Sequence, residues 1–243
     1  MFPTIWLDET DSTSNYLKKL LQDSRLDEYT LVRADFQTAG RGQRDSDTWE
    51  SQRRKNLLFS TLLYPSNVEI KNQFIISQVV ALAVKNTLDG YADDISVKWP
   101  NDIYWKDKKI CGTLIENNLM DGKIARSIIG IGININQQEF LGNAPNPVSL
   151  WQIAGKEYDI DLILDSVMER IERYFSGLEG NEDAIGKEYK LSLYRRKGYH
   201  KYQDKHGTFD AVIKDISPAG YLILEDRNQV IRKYAFKEVK YIM

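Results

Sequence analysis

The chain has 243 residues, of which 42% are hydrophobic, so it can bury a substantial core in one large domain or in a large and a small one. Its 33 basic and 35 acidic residues are interspersed and give a formal net charge of −2, which argues against duplex DNA as the main partner. One cysteine cannot form an internal disulfide, and two histidines make Cys/His zinc sites and histidine-based triads poor explanations. The N-terminus lacks the layout of a signal peptide and no apolar run reaches about eighteen residues, so we expect a cytoplasmic protein without membrane contact.

The first half of the chain alternates strand and helix patterns. A helix is predicted to begin near Thr13, directly after residues of the N-cap type. The apolar run "NLLFSTLLY" predicts a strand that is covered on both faces and that Pro65 ends. Residues 69–89 carry apolar side chains at helical spacing, and Gly90 is expected to supply a left-handed C-cap.

The second half changes from a sheet to helices and back to short strands. An antiparallel meander is predicted from three strand patterns, which are "DISVKW", "KICGTLIEN" and "IARSIIGIGININ". Helical patterns follow at residues 161–178 and 182–195. After a boundary near Arg196, short strands with tight turns predict a small SH3-like barrel. The predicted class is α+β, with one domain at residues 1–195 and a second at residues 196–243.

A loop of about twenty residues, Gln37 to Asn56, separates two predicted strands. Connections longer than roughly 12–15 residues are usually functional or disordered. Gly40 and Gly42 allow positive φ and a close backbone approach, and Arg41 between them offers a planar fork of donors for a carboxylate or phosphate. The loop therefore predicts an anion site, with a mobile surface loop of solvated arginines as the alternative. The spacing fits neither a Walker loop nor a dinucleotide fingerprint.

A second group of polar residues follows a predicted strand end. Pro100 cannot donate to a ladder, so the strand should stop there and present Asn101 and Asp102. Asp102 could hold Mg²⁺ on a nucleotide, or orient an attacking amine and help to remove its proton, whereas an Asx turn is the structural alternative. Of Lys108 and Lys109, which enter the next strand, one should point inward; the alternative for either is an exposed hairpin charge.

Three smaller features complete the pattern. Small hydroxyl residues, 12–14, crowd a predicted helix start, where free amides can meet a polar ligand, although capping alone would explain Ser12. The run from Gly130 to Asn136 places glycine and asparagine in a strand, which indicates a close backbone approach or a bulge. Cys111 is interpreted as a small core residue.

Five motifs follow one another along the chain: "DSTS", "QTAGRGQR", "KNLLFSTLLYP", "VKWPNDIYWKDKKICGTLIE" and "GIGININ". These motifs, in this order, resemble the biotin protein ligase family. The similarity spans about residues 5–150, and the small C-terminal barrel also looks like the one that these ligases carry. The resemblance implies a catalytic domain with a central mixed or antiparallel sheet and helices, similar to class II aminoacyl-tRNA synthetases.

This resemblance also implies an activity. Such ligases (biotin–[acetyl-CoA-carboxylase] ligases) join biotin to ATP, with Mg²⁺, as biotinyl-5′-AMP and then transfer biotin to one lysine of a biotin carboxyl carrier domain. Because "DSTS" begins at residue 11, a form without the N-terminal DNA-binding domain is expected, with no repressor function and no DNA partner. A monomer or a homodimer is left open.

The resemblance implies roles for individual residues. The residues implied in catalysis are Arg41, Lys109 and Asp102. The residues implied in binding the substrate are Ser12, Thr13, Ser14, Gln37, Gly40, Arg41, Gly42, Gln43, Lys109 and Gly112. The residues implied on the nucleotide side are Arg41, Arg44, Asn101, Asp102 and Asn134. No metal site is assigned beyond Asp102 as a candidate ligand for Mg²⁺ on ATP.

The loop departs from the commoner family pattern. Gln43 stands where many relatives have arginine, and "RDSDTW" replaces a shorter run that contains glycine. Asp45 and Asp47 add negative charge near a phosphate site, so this chain is expected to retain the adenylate more weakly than arginine-bearing relatives.

Two other functions compete with a biotin ligase. A lipoate or octanoate ligase or transferase shares the fold, but its usual "RRxSGGG"-like loop is missing from the sequence. A non-catalytic RNA- or peptide-binding module would use basic residues that begin at the predicted boundary of the barrel. These basic residues are Arg195, Arg196, Lys197, Lys201 and Lys205. They are closely followed by Asp204, Asp210 and Asp215, as on an ordinary solvated face.

Overall fold

The computed structural model describes residues 2–42, 48–142 and 145–242. Its helices are α1 (Thr13–Asp23), α2 (Phe74–Leu88), α3 (Leu150–Ala154), α4 (Ile160–Ser176) and α5 (Glu182–Leu191). The first seven strands are β1 (Thr4–Leu7), β2 (Leu31–Ala34), β3 (Leu57–Leu63), β4 (Ile95–Lys98), β5 (Asp102–Trp105), β6 (Lys108–Met120) and β7 (Lys123–Ile133). The remaining strands are β8 (His200–Asp204), β9 (Gly207–Ile216), β10 (Leu222–Asp226), β11 (Ile231–Tyr234) and β12 (Lys240–Tyr241).

Seven strands form the large sheet, in the order β1-β2-β3-β7-β6-β5-β4. Only β1 and β2 run parallel, and all other neighbours are antiparallel, so the sheet is mixed. The strand β3 is buried along its whole length, as its almost continuous apolar run predicted. Helix α1 covers one face around Leu17 and Leu62, whereas α2 and α4 pack on the other face.

Five strands form the second, antiparallel sheet, in the order β11-β10-β9-β8-β12. The predicted α+β class with an additional small β unit is confirmed. The two sheets share one buried hydrophobic cluster, which includes Ile103 of the first and Leu222 of the second. Between them, the Trp99 indole nitrogen donates to the Gly220 carbonyl at 2.9 Å, and the Trp99 ring packs edge-on against Phe236. The domain boundary near residue 196 stays a prediction.

Several local predictions need correction. The meander contains an additional strand, β5, directly after the strand end at Pro100, because the chain turns back at once and pairs with β4. The short helix α3 and the strand β8 were not predicted either. The left-handed C-cap at Gly90 is wrong: Asp89 caps α2 in a right-handed conformation and Gly90 has no positive φ.

No helix within the described ranges combines the length and the apolar character that crossing a membrane requires.

Candidate active site

On the face of the large sheet that α1 covers, four neighbouring positions carry a small side chain or none. Ser60 of β3, Gly130 and Gly132 of β7, and Gly112 of β6 follow one another across the paired strands. Alternate residues of a strand share a face, so these four positions open toward the same side as the N-terminus of α1. We call this surface, defined by Ser60, Gly130, Gly132 and Gly112, the cleft floor.

One end of the cleft floor is a buried cluster of hydroxyl groups. The Ser60 hydroxyl is hydrogen-bonded to those of Thr13, at 2.7 Å, and Ser14, at 2.8 Å. The Gln37 side-chain oxygen accepts from the Thr13 backbone N–H at 2.8 Å and from its hydroxyl at 3.1 Å. Ser12 is also buried, and its side chain makes no capping hydrogen bond, so capping does not explain this residue.

The glycines of the cleft floor are required by close contacts. A Cβ atom at Gly130 would lie 2.6 Å from the Ser14 hydroxyl oxygen. A Cβ atom at Gly132 would lie 2.5 Å from the indole of Trp49, and one at Gly112 would lie 2.8 Å from the same ring. Such distances are below any normal van der Waals contact, so the predicted close approach at Gly130 to Asn136 is confirmed.

Two segments of the loop after β2 are joined by backbone contacts. The Trp49 backbone N–H donates to the Gly40 carbonyl at 2.9 Å, and Arg41 pairs with Thr48 as an isolated bridge. A Cβ atom at Gly40 would lie 2.5 Å from the Trp49 carbonyl oxygen. Gly40 is therefore needed for close approach and not for a left-handed φ, which it does not have.

The predicted residues Gln43, Arg44, Asp45 and Asp47 lie outside the described residues, and the roles assigned to them stay predictions.

Arg41 lies over the same face of the sheet but is held by a residue that was not predicted. Its guanidinium donates to Glu116 of β6 at 3.1 Å, and Lys18 of α1 binds the other oxygen of this carboxylate at 2.6 Å. Glu116 is seven positions along β6 from Lys109. Arg41 is thus paired with a carboxylate of the strand that also carries Lys109.

At the other end of the cleft floor lies a pair of charges. Lys109 Nζ is 2.8 Å from Asp102 Oδ2, and about a quarter of each side chain is exposed. Lys109 lies against the cleft floor, since a Cβ atom at Gly112 would be 3.2 Å from Lys109 Nζ, whereas Lys108 is exposed. The prediction that one of the two lysines points inward is confirmed, and that lysine is Lys109.

The two asparagines assigned to the nucleotide side are almost fully buried. Asn101 donates to the Thr113 carbonyl at 3.4 Å, and Asn134 donates to the Val148 carbonyl at 3.1 Å. Among the described residues, the side-chain oxygen of Asn134 has no hydrogen-bond partner although it is buried. A buried acceptor without a donor is costly, so this oxygen is available to a ligand that donates.

Cys111 is part of the core, as predicted. It is fully buried on the opposite face of the sheet, and burial raises the pKa of its thiol to about 12. Because the thiolate is the nucleophile, we expect Cys111 to resist a maleimide at pH 8 in the folded protein and to react fully in guanidinium chloride. Rapid modification of the native protein, measured by mass spectrometry, would contradict this burial.

The described residues contain no group of three or more His, Cys, Asp or Glu side chains that could hold a metal ion. Asp102 could still contribute one oxygen to Mg²⁺ that arrives with a nucleotide.

Sequence reasoning missed three residues of this site. Ser60 was hidden in an apolar strand, although a single hydroxyl there was a usable signal. Trp49 and Glu116 each end a quoted run, "RDSDTW" and "VKWPNDIYWKDKKICGTLIE", but neither was given a role, because their contacts join segments that are far apart in the chain.

Solved structures define the class of this fold. The structure "Biotin protein ligase from Aquifex aeolicus in complex with biotin and ATP" matches with a TM-score of 0.82 and 29% identity over 100% of both chains. The apo structure of the Aquifex aeolicus ligase matches with a TM-score of 0.76 and 26% identity, over 99% of this chain and 98% of that one. The fold is that of the biotin protein ligases, and the predicted class of enzyme is confirmed.

Sequence comparisons give the family. A bifunctional ligase/repressor BirA of Bacillus spizizenii is 30% identical over 241 residues, which are 95% of this chain and 72% of the relative. A biotin–[acetyl-CoA-carboxylase] ligase of Paracoccus denitrificans is 28% identical over 71% of this chain and 73% of its own length. The model of the Biotin/lipoate A/B protein ligase family matches residues 6–134. The chain belongs to this family.

Proposed function

We propose that this protein is an ATP-dependent ligase that forms biotinyl-5′-AMP from biotin and ATP and transfers biotin to a specific lysine of a biotin carboxyl carrier domain. The proposal rests on the cleft floor, which has buried hydroxyl groups at one end and a lysine ammonium group at the other. Buried hydroxyls at one end can hydrogen-bond an uncharged ring system, and the inward-facing Lys109 at the other can bind an anion. Biotin has this distribution, with a ureido ring at one end and a carboxylate at the other.

The first step joins two anions. A carboxylate oxygen of biotin attacks the α-phosphorus of ATP, a new O–P bond forms, and the bond to pyrophosphate breaks as pyrophosphate leaves. Negative charge on the α-phosphate oxygens is concentrated in the transition state, and a fixed ammonium group such as Lys109 stabilises it. Asp102, at 2.8 Å, holds Lys109 in place.

In the second step, the neutral amine of the acceptor lysine attacks the acyl carbon. A C–N bond forms, the C–O bond to the phosphate breaks, AMP leaves, and the nitrogen gives up one proton to a base, either Asp102 or water. We assign Asp102 to orient this amine or to contribute a ligand to Mg²⁺. The nucleotide side is assigned to Asn101 and Asn134, and the free acceptor of Asn134 supports the assignment.

Arg41 is proposed to bind the carboxylate and the α-phosphate together with Lys109. This role requires its guanidinium to leave Glu116, and the pair is well suited to exchange because the Arg41 side chain is 38% exposed. Partly exposed ion pairs contribute at most about 1 kcal/mol, so a phosphate can compete with Glu116.

The experiment is a labelling reaction with alternative acids. The protein is incubated with MgATP and a biotin carboxyl carrier domain, with either biotin or lipoate, and the mass of the acceptor lysine is followed. We expect a biotin adduct that requires ATP, and an acceptor whose lysine is replaced by arginine is the control. Labelling by lipoate alone would assign the chain to the lipoate branch of its family, and no labelling by either acid would contradict the proposal.

The proposal includes a cytoplasmic location, which the single buried cysteine supports, and no repressor function. The balanced net charge of −2 supports the absence of operator binding, although the Bacillus relative is named as a bifunctional ligase and repressor.

A further inference from the structure

A second lysine stands next to the charged pair of the site. Lys98, the last residue of β4, lies directly opposite Asp102 in the antiparallel pairing with β5. Side chains at such opposed positions begin about 4.5–5.5 Å apart. Asp102 therefore has two lysines within reach, Lys98 and Lys109, and the ion pair forms with Lys109.

Lys98 is instead held by two aromatic side chains. Its Nζ donates to the Tyr104 hydroxyl at 2.9 Å and lies 4.6 Å from the centre of the Tyr104 ring. The centre of the Tyr241 ring lies 5.3 Å from the same Nζ atom. Ring faces attract an ammonium group, so the two tyrosines form a box that binds the end of Lys98.

One wall of this box comes from the second sheet. Tyr241 belongs to β12, near the end of the chain, and Arg195 fixes that strand by donating to the Ile242 carbonyl at 2.8 Å. Tyr194 lies beside both walls, with ring centres 5.3 Å from Tyr104 and 6.2 Å from Tyr241. The small sheet therefore places the Tyr241 ring next to Lys98 in the candidate active site.

The box is poorly solvated. Burial lowers the pKa of Lys98; Asp102 partly offsets this effect, and the positive charges of Lys109 and Arg195 add to it. A buried ammonium that loses its acceptor must find another one. The nearest carboxylate across the strand pair is Asp102.

We propose that Tyr104 and Tyr241 are positioning residues that keep the Lys98 amine away from Asp102, so that Asp102 remains paired with Lys109. The kinetic consequence rests on the proposed ligase function, but the side-chain rearrangement does not. Removing the Tyr104 hydroxyl should let Lys98 compete for Asp102, and Lys109 would then lose its orientation.

The test combines Tyr104→Phe with Lys98→Met. We expect Tyr104→Phe to lower kcat for adenylate formation about tenfold, with a small change in KM for biotin, because the affected group acts in the transition state. The double variant Tyr104→Phe/Lys98→Met should be several-fold faster than Tyr104→Phe, because the competitor is gone. Tyr241→Ala should behave like Tyr104→Phe and should also be improved by Lys98→Met.

A matched control is Tyr202→Phe. Tyr202 is fully buried in the same aromatic region, and its hydroxyl has no partner among the described residues, so the substitution should leave kcat unchanged. A crystal structure of Tyr104→Phe provides a readout that needs no ligase activity, and we expect Lys98 Nζ within hydrogen-bonding distance of Asp102. If Lys98 stays away from Asp102, or if Lys98→Met does not improve the tyrosine variants, the inference is wrong. Absence of adenylate formation in the unmodified protein would overturn the proposed function instead.

Discussion

Replacing Lys109 with alanine is expected to lower the rate of biotinyl-adenylate formation about 100-fold or more, the scale seen when one charge-stabilising donor is removed from an active site. Lys109 is the inward-facing cation at the edge of the cleft floor, and it lies 2.8 Å from Asp102. Alanine would also leave Asp102 without its partner. The measurement is the rate of pyrophosphate release with saturating biotin and MgATP.

Lys108 offers a matched control, because it is the preceding residue of the same strand but is exposed to solvent. Lys108→Ala should change the rate less than about twofold, as expected for a surface substitution. Near-normal activity of Lys109→Ala would refute its role and move the assignment to Lys108 or Lys98.

Gly130→Ala is expected to weaken biotin binding about tenfold or more, because the new methyl group would lie 2.6 Å from the Ser14 hydroxyl oxygen. A tenfold loss of affinity corresponds to about 1.4 kcal/mol of binding free energy. The methyl group would also displace Ser14 from Ser60 and disrupt the hydroxyl cluster. Isothermal titration with biotin measures the effect directly.

Gly186→Ala is the control for this substitution. Gly186 lies in α5, and an added Cβ atom would meet only Gln78 at an ordinary 3.9 Å. Alanine is a better helix former than glycine, so biotin affinity should stay unchanged and the fold should be at least as stable. If Gly130→Ala bound biotin as tightly as Gly186→Ala does, the ligand would not lie over Gly130.

Much of the fold follows from local patterns. The N-cap residue types place the start of α1 at Thr13, and the almost continuous apolar run of β3 predicts a strand buried on both faces. The glycines of β7 were read as points of close approach, and the structure shows what approaches them. The helix start and the buried strand are visible in the sequence because each depends on neighbouring residues, and the glycines are visible because glycine is unusual inside a strand.

Other features depend on distant contacts and could not be predicted. Trp49 lies over two glycines that follow it by more than sixty residues, and Arg41 finds Glu116 on another strand. The strand β5 was not predicted because it is only four residues long and directly follows the strand end at Pro100. Gly90 is a case in which a local pattern gave a wrong prediction. A glycine after a helix suggests a left-handed cap, but the backbone does not adopt that conformation.

The contact between Trp99 and the turn at Gly220 has a consequence for how the chain can be divided. Gly220 has a φ of +86°, and an added Cβ atom there would lie 2.6 Å from the ring of Phe74, so this turn packs closely against helix α2. Tyr241 likewise faces Lys98 from the last strand. A fragment that stopped at Arg196 would lack the hydrogen-bond acceptor of the Trp99 indole and one of the two tyrosine rings beside Lys98. The terminal sheet therefore completes the packing of the larger unit and is not an appendage that could be exchanged freely.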